Sequence, residues 1–356
     1  MHRMAHLTST ILLLAISAPL CAKTTWPDGY CFCGRWDLRT TNRAITVNSG
    51  SYVQARFTGG SLAASFDVSV NQPPMPTIAW RIDNGQWREA EVASTVNLAH
   101  GLAKGPHTVM LMARGIDEHQ NRWTRPLVAS ITFTGFTLPK DGRLEKALPQ
   151  WKKPALKMEF LGDSITEGVL VQEGRAGVIA GMPKTWPWLT DARMSYAGQT
   201  AMMLGAAWRQ VGFGATGLVR IGSGGAPGAL TTFNLFHADC PRDAWQPDVV
   251  IVNQGTNEMP MKADEYQPLY VKYLEMIRAG YPKAKIVALR PFCGAQETSI
   301  KAAVGIRNAA GDAKVYYIDT TGWYDGPIHP NAAASTELAK KLVDALKADV
   351  LAAKGR

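Results

Sequence analysis

Beyond residue 22 the chain has no apolar run long enough to cross a membrane, which excludes an integral membrane protein built from helices. It has no long Lys/Arg block and no nucleic-acid motif. Its formal net charge of +9 is spread along the sequence, so it reads as solubility and weak attraction to acidic polymers, not as a nucleic-acid footprint. No internal repeat and no low-complexity stretch interrupts it, which excludes a repeat array. Cysteine is scarce, five in 356 residues. None of the five has zinc-type spacing, so no metal is expected.

What is present begins with a short targeting pattern. Arg3 gives a positive start, Ile11 to Leu20 an apolar stretch too short for a comfortable span, and small residues follow. Residues 1–22 read as a secretory signal peptide cleaved after Ala22. Cys21 raises the alternative of a lipoprotein, but Leu20 stands where that signal wants a small residue. The mature chain is then expected to be soluble, in the periplasm or outside the cell. There Cys31, Cys33, Cys240 and Cys293 could pair in any of three ways, although Cys31 and Cys33 are too close along one strand to pair easily with each other.

A chain of this length suggests two domains. Residues 23–139 read as a small all-β sandwich, jelly-roll-like. Runs such as 51–57, 61–70, 77–82, 107–112 and 128–136 alternate apolar with small or polar residues, and Gly59-Gly60 and Asp83-Asn84-Gly85 mark turns. Residues 140–152, basic and proline-bearing, read as a linker. From 153 to 356 strands and helices alternate. Strands are predicted at 156–161, 217–221, 248–252, 285–289 and 314–318, and helices at 195–208, 264–279, 296–309 and 332–353. That alternation implies an α/β domain, a parallel sheet covered by helices on both faces, with its strand C-termini on one edge.

Three segments meet that edge. An apolar run ends in Gly162-Asp163-Ser164, a turn small enough to leave the serine hydroxyl at the strand's end. A second run leads to Asn253-Gln-Gly-Thr-Asn257-Glu258. The third, Trp323-Tyr-Asp-Gly-Pro-Ile-His329-Pro-Asn331, precedes the last helix. They supply a hydroxyl nucleophile, an amide donor and an imidazole, the parts that serine-based hydrolysis needs.

With these blocks in this order, residues 153–356 resemble the SGNH (GDSL-type) hydrolase superfamily, a three-layer αβα fold. More loosely the chain resembles carbohydrate esterase family 2, in which a small β-sandwich precedes the hydrolase. The resemblance implies Ser164 as nucleophile, His329 as general base, and an oxyanion site made by the Ser164 N–H, the Asn257 amide and a glycine N–H. The turn Gly222-Ser-Gly-Gly225 resembles the family's glycine block. Gly224 is the expected donor, Gly225 the next choice, and Gly198 is weaker because it falls within a predicted helix.

The family's acid usually lies three residues before the histidine, where this chain has Gly326. Asp325, one residue further back, is the candidate triad acid, and a Ser–His dyad oriented by a backbone carbonyl is the alternative. Glu258 stands where relatives have Asp and is expected to anchor a loop, while Asp163 is expected to brace its turn. Trp186, Trp188 and Trp323 are candidate sugar-stacking residues, or else core tryptophans. The resemblance implies a secreted esterase that removes acetyl groups from O-acetylated glycans such as xylan or glucomannan, with no cofactor. No long lid like that of a lipase is present. A general lipid or aryl esterase, and a carbohydrate-binding protein with a degenerate hydrolase half, remain alternatives. Oligomeric state is not legible.

Overall fold

The computed structural model describes residues 26–173 and 183–352. The signal peptide read at residues 1–22 lies outside the described residues. The first half is antiparallel. One sheet runs in the order Tyr30–Cys33, Tyr52–Thr58, Pro106–Gly115, Thr77–Ile82, Arg88–Glu91. The other runs Asp37–Thr40, Arg43–Thr46, Ile131–Thr137, Leu62–Phe66, Thr95–Ala99. Strand alternation explains the packing. Val53, Ala55 and Phe57 point inward from Tyr52–Thr58 while Gln54, Arg56 and Thr58 are half-exposed. The inward set joins Phe66, Leu111 and Phe133 in one core. Within the stretch read as a linker, Arg143–Glu145 pairs with Arg56–Thr58, so the sheet continues into it.

The second half is a five-stranded parallel sheet in the order Ala207–Gly212, Lys157–Gly162, Val249–Asn253, Lys285–Leu289, Val315–Ile318. Its central strands are buried on both faces. Val250, Val252, Ile286 and Ala288 pack against Tyr266, Tyr270, Leu274 and Ile300 of the helices Ala263–Gly280 and Glu297–Ala309. Val249, Ile251, Val287 and Leu289 pack on the other side, with Tyr196, Leu338 and Leu342 of the helices Tyr196–Met203 and Ala332–Ala345. Chain direction along the sheet reverses beside Lys157–Gly162, and ligand sites of open α/β sheets lie at such a switch point. No helix among the described residues is long and apolar enough to cross a membrane, and no disulfide joins the described cysteines.

Two predicted elements are corrected. The helix expected over 195–208 stops at Met203. Gly205 follows at φ +62, a left-handed turn that glycine adopts without cost, and the chain then extends as the strand Ala207–Gly212. The strand expected at 217–221 is a loop, with Val219 46% and Ile221 65% exposed. Three of its N–H groups are taken by a side chain, and the Gly217 N–H donates to the Arg220 carbonyl within the loop. Glu258 accepts from Leu218 at 2.7 Å, Val219 at 2.8 Å and Arg220 at 3.2 Å.

Buried guanidinium groups fasten the sandwich to the α/β half. Arg35 meets Glu159 of the first parallel strand at 3.1 Å, both side chains fully buried, and donates to the carbonyl of Thr232 at 2.8 Å. Arg114 meets Asp191 at 3.1 Å and donates to the carbonyls of Pro187, Trp188 and Thr190. Removing one partner of such a pair strands the other charge. Arg35→Ala should therefore cost about 3–5 kcal/mol of stability, seen as a lower denaturant midpoint in equilibrium unfolding.

Candidate active site

The strand Lys157–Gly162 hands the chain directly to the one-turn helix Ser164–Glu167. Gly162 has no room for a side chain: a Cβ there would lie 2.0 Å from Thr166 Oγ1. Asp163 caps the turn by accepting from the Ile165 N–H at 3.0 Å, and Gly168, at φ +84, ends it. Ser164 is thereby fixed at the strand end, 7% exposed.

His329 arrives from the loop before the last helix. Asn331 caps that helix by accepting from Ala334 N–H at 2.9 Å. The Ala332 N–H donates to the carbonyl of Val171 at 2.8 Å, which ties the histidine loop to the loop after the serine. His329 Nε2 lies 2.9 Å from Ser164 Oγ. Burial pushes the imidazole below its ordinary range, and the charge of Glu173 opposes that shift. The ring is therefore neutral at neutral pH and able to take the serine proton.

The acid limb of kcat/KM is expected below the ordinary imidazole value of 6.5. Glu173→Gln should move the limb lower still, because it removes a charge that favours imidazolium. A pH profile of the two proteins checks both.

Asp325 is not brought to the imidazole. It is exposed, no hydrogen bond joins it to His329 among the described residues, and it lines a cavity of about 380 Å³ with Arg290, Phe292, Cys293 and Tyr324. The loop that carries it is shaped by the Tyr324 hydroxyl, which donates to the Pro327 carbonyl at 2.7 Å. The carboxylate whose charge reaches the ring is Glu173, which the sequence reading did not single out.

Asn257 sits half-buried in the turn Thr256–Glu258, which opens at Gly255 with φ +139. Its Nδ2 donates to the carbonyl of Thr216 at 3.0 Å, which uses one of its two amide hydrogens. The glycine expectation changes with the corrected strand. Gly212 pairs with Gly162, so Gly214, two residues on, leaves the sheet level with Ser164. Gly224 lies ten residues beyond Gly214, in the turn after the loop, where a Cβ would stand 2.5 Å from the Gln120 carbonyl. Gly225 donates to the Gly222 carbonyl. Gly198 spends its N–H on Ser195 Oγ at 3.1 Å.

The tryptophans part company. Trp186 meets the His119 ring edge-on at 4.7 Å. Trp188 is pinned to the sandwich, its indole donating to Glu91 at 3.0 Å with Arg114 over its ring. Trp323 packs half-buried beside the core that contains Leu338 and Leu342, and its carbonyl accepts from Lys341.

The fold also gathers Asp37, His237 and Cys240, all buried, with possible ligand atoms within 4.8 Å of one another, in a chain whose cysteine spacing predicts no metal. Arg39 already holds both oxygens of Asp37 at 2.8 Å, so a cation there would have to displace a guanidinium.

Residues 160–336 match the GDSL-like lipase/acylhydrolase family, and residues 32–147 match the carbohydrate esterase 2 N-terminal family. The α/β half of the chain belongs to the GDSL-like lipase/acylhydrolase family. The chain is 28% identical, over 90% of its length, to the cellulase/esterase CelE of Acetivibrio thermocellus, of which the match covers 39%. It is 28% identical, over 68% of its length, to an acetylxylan esterase / glucomannan deacetylase of Cellvibrio japonicus, of which the match covers 63%. The chain thus spans less than two thirds of each of these curated relatives. In structure it is similar to a family two carbohydrate esterase from Clostridium thermocellum, solved in complex with cellohexaose. That likeness has a TM-score of 0.72 at 25% identity and covers 90% of this chain and 98% of that one.

Proposed function

We propose that this chain is a serine esterase that removes O-acetyl groups from carbohydrates such as acetylated xylan or glucomannan. The observation that carries the reading is the 2.9 Å contact between Ser164 Oγ and His329 Nε2, at a strand end beside Asn257. The serine oxygen attacks the acetyl carbonyl as the imidazole takes its proton. The oxyanion is met by the Ser164 N–H, the Asn257 amide and the Gly214 N–H. The imidazolium returns the proton to the departing sugar alcohol, and water then hydrolyses the acetyl-enzyme by the same route. His329 works as one half of a dyad, held by its loop, with Glu173 as the nearby negative charge.

The likeness to carbohydrate esterases across both halves of the chain supports a carbohydrate substrate, and the signal pattern in residues 1–22 supports export. Trp186 and Trp323 are the aromatic faces available for sugar stacking, and Trp188 serves the domain interface. Acetate release from acetylated xylan and glucomannan, compared with hydrolysis of long-chain aryl esters, tests the reading. Acetate release with poor turnover of the long chains is expected. The reverse preference would make the chain a lipid or aryl esterase, and sugar binding without turnover would make it a binding protein.

A further inference from the structure

The sandwich loop 116–126 reaches the hydrolase site. The carboxyl group of Glu118 lies flush against Gly214: a Cβ on that glycine would stand 1.5 Å from Glu118 Oε2 and 2.5 Å from Glu118 Cβ. Glu118 is buried, and its Oε2 has no hydrogen-bond partner among the described residues. The carbonyls of Glu118 and Gln120 close on Gly224 in the same way, and the Ser223 N–H donates to the Gly214 carbonyl at 3.1 Å. Four residues along, the Arg122 guanidinium lies 4.9 Å over the Phe213 ring and grips both oxygens of Glu167, one turn beyond Ser164. One loop of the sandwich thus presses on the glycine and holds the serine's helical turn.

We propose that Glu118 is the positioning residue for the Gly214 peptide, so that the oxyanion site is complete only with the sandwich in place. The proposal rests on the esterase reading above and on Gly214 as a donor in it.

The surroundings decide which form of Glu118 can do this. Facing it are Asp117, His119 and Arg122 from its own loop, and Glu167 and Asp163 from the serine turn. Arg122 spends its fork on Glu167, which leaves Glu118 without a hydrogen-bonded cation of its own. Burial first, and Glu167 second, push its carboxyl up to about 7. In the neutral form it packs on Gly214 without charge. Ionised, it places a negative charge beside the donor for a developing oxyanion and raises that barrier. An alkaline limb near neutrality should therefore join the acid limb set by His329. Asp163, also pushed up to about 7 by burial, is the competing source of such a limb.

The experiment is the pH dependence of kcat and KM for acetyl-ester hydrolysis, with Ser164→Ala as the background. Absence of Ser164-dependent hydrolysis overturns the esterase reading and this proposal with it. Given that activity, wild-type kcat/KM should fall about tenfold through the alkaline limb, and Glu118→Gln should remove the fall. Glu118→Ala should lower kcat about tenfold or more across the range with little change in KM. A limb that persists in Glu118→Gln belongs to Asp163 or another group and overturns this proposal alone, as does wild-type kcat in Glu118→Ala. If Glu118→Ala does not fold, the Glu118→Gln profile decides.

Discussion

Ser164→Ala should lower kcat for acetate release on the order of 10⁶-fold, while Asp325→Asn should change it severalfold at most. Loss of the nucleophile removes the acyl-enzyme route altogether and leaves only the oxyanion donors and substrate binding. The weak effect at Asp325 follows from its position. A triad acid is buried against its imidazole, and its amide variant typically loses about 10⁴-fold because the wrong tautomer is held. Asp325 is exposed, makes no hydrogen bond to His329 among the described residues, and lines a cavity with Arg290, Phe292 and Tyr324. Orientation of the ring falls instead to the chain around it. Asn331 caps the following helix and Ala332 is tied to Val171, which fixes the chain just after His329, while the Tyr324 hydroxyl bonded to the Pro327 carbonyl shapes the chain before it. Single-turnover and steady-state kinetics of the two variants, with thermal unfolding to check the fold, test this. A loss in Asp325→Asn approaching that of a triad acid would show that substrate binding draws the loop inward.

What the sequence makes legible here are the groups that local chain chemistry marks. Ser164, Asn257 and His329 each follow or precede small, turn-forming residues at a strand or helix end, and such turns are read directly from glycine, proline and asparagine. The strand Ala207–Gly212 is harder to see. Three of its residues, Trp208, Arg209 and Gln210, do not form an apolar run. They are buried because the sandwich and neighbouring loops cover that edge of the sheet. Trp208 lies 6.5 Å from Tyr52 of the sandwich, Arg209 pairs with Asp243 at 2.7 Å, and Gln210 donates to the Glu167 carbonyl at 3.2 Å.

With that strand hidden, the sequence points to Gly224 as the glycine donor, and the proposal of Gly214 becomes possible only once Ala207–Gly212 is seen to lie beside Lys157–Gly162. Glu118 and Arg122 are less legible still. Their meaning depends on contacts with Gly214 and Glu167, far away in sequence, that no local pattern encodes. Glu167 is a charged residue in a turn that buries all four of its residues, and it is that burial, visible only in the structure, which calls for a cation from elsewhere.

Asn257→Ala should lower kcat about 10²- to 10³-fold, equivalent to about 2.7–4 kcal/mol of barrier, with little change in KM. An amide that meets charge only as it develops stabilises the transition state and not the bound ester, so its loss appears in kcat and kcat/KM alike. Two braces hold the group ready. One amide hydrogen is committed to the Thr216 carbonyl, which fixes the plane of the side chain and leaves the second hydrogen for the substrate. The next residue, Glu258, clamps the N–H groups of Leu218, Val219 and Arg220, so the loop that offers Thr216 is itself immobilised. Preorganisation of this kind is what gives a hydrogen bond its catalytic worth, because no reorientation is needed as charge appears. Asn257→Asp should lose more than the alanine variant, since it replaces a donor with a negative charge that repels the oxyanion. Kinetics on a small acetyl ester read both substitutions without interference from glycan binding. A raised KM at unchanged kcat would place Asn257 in ground-state binding and leave the oxyanion to the backbone donors of Ser164 and Gly214.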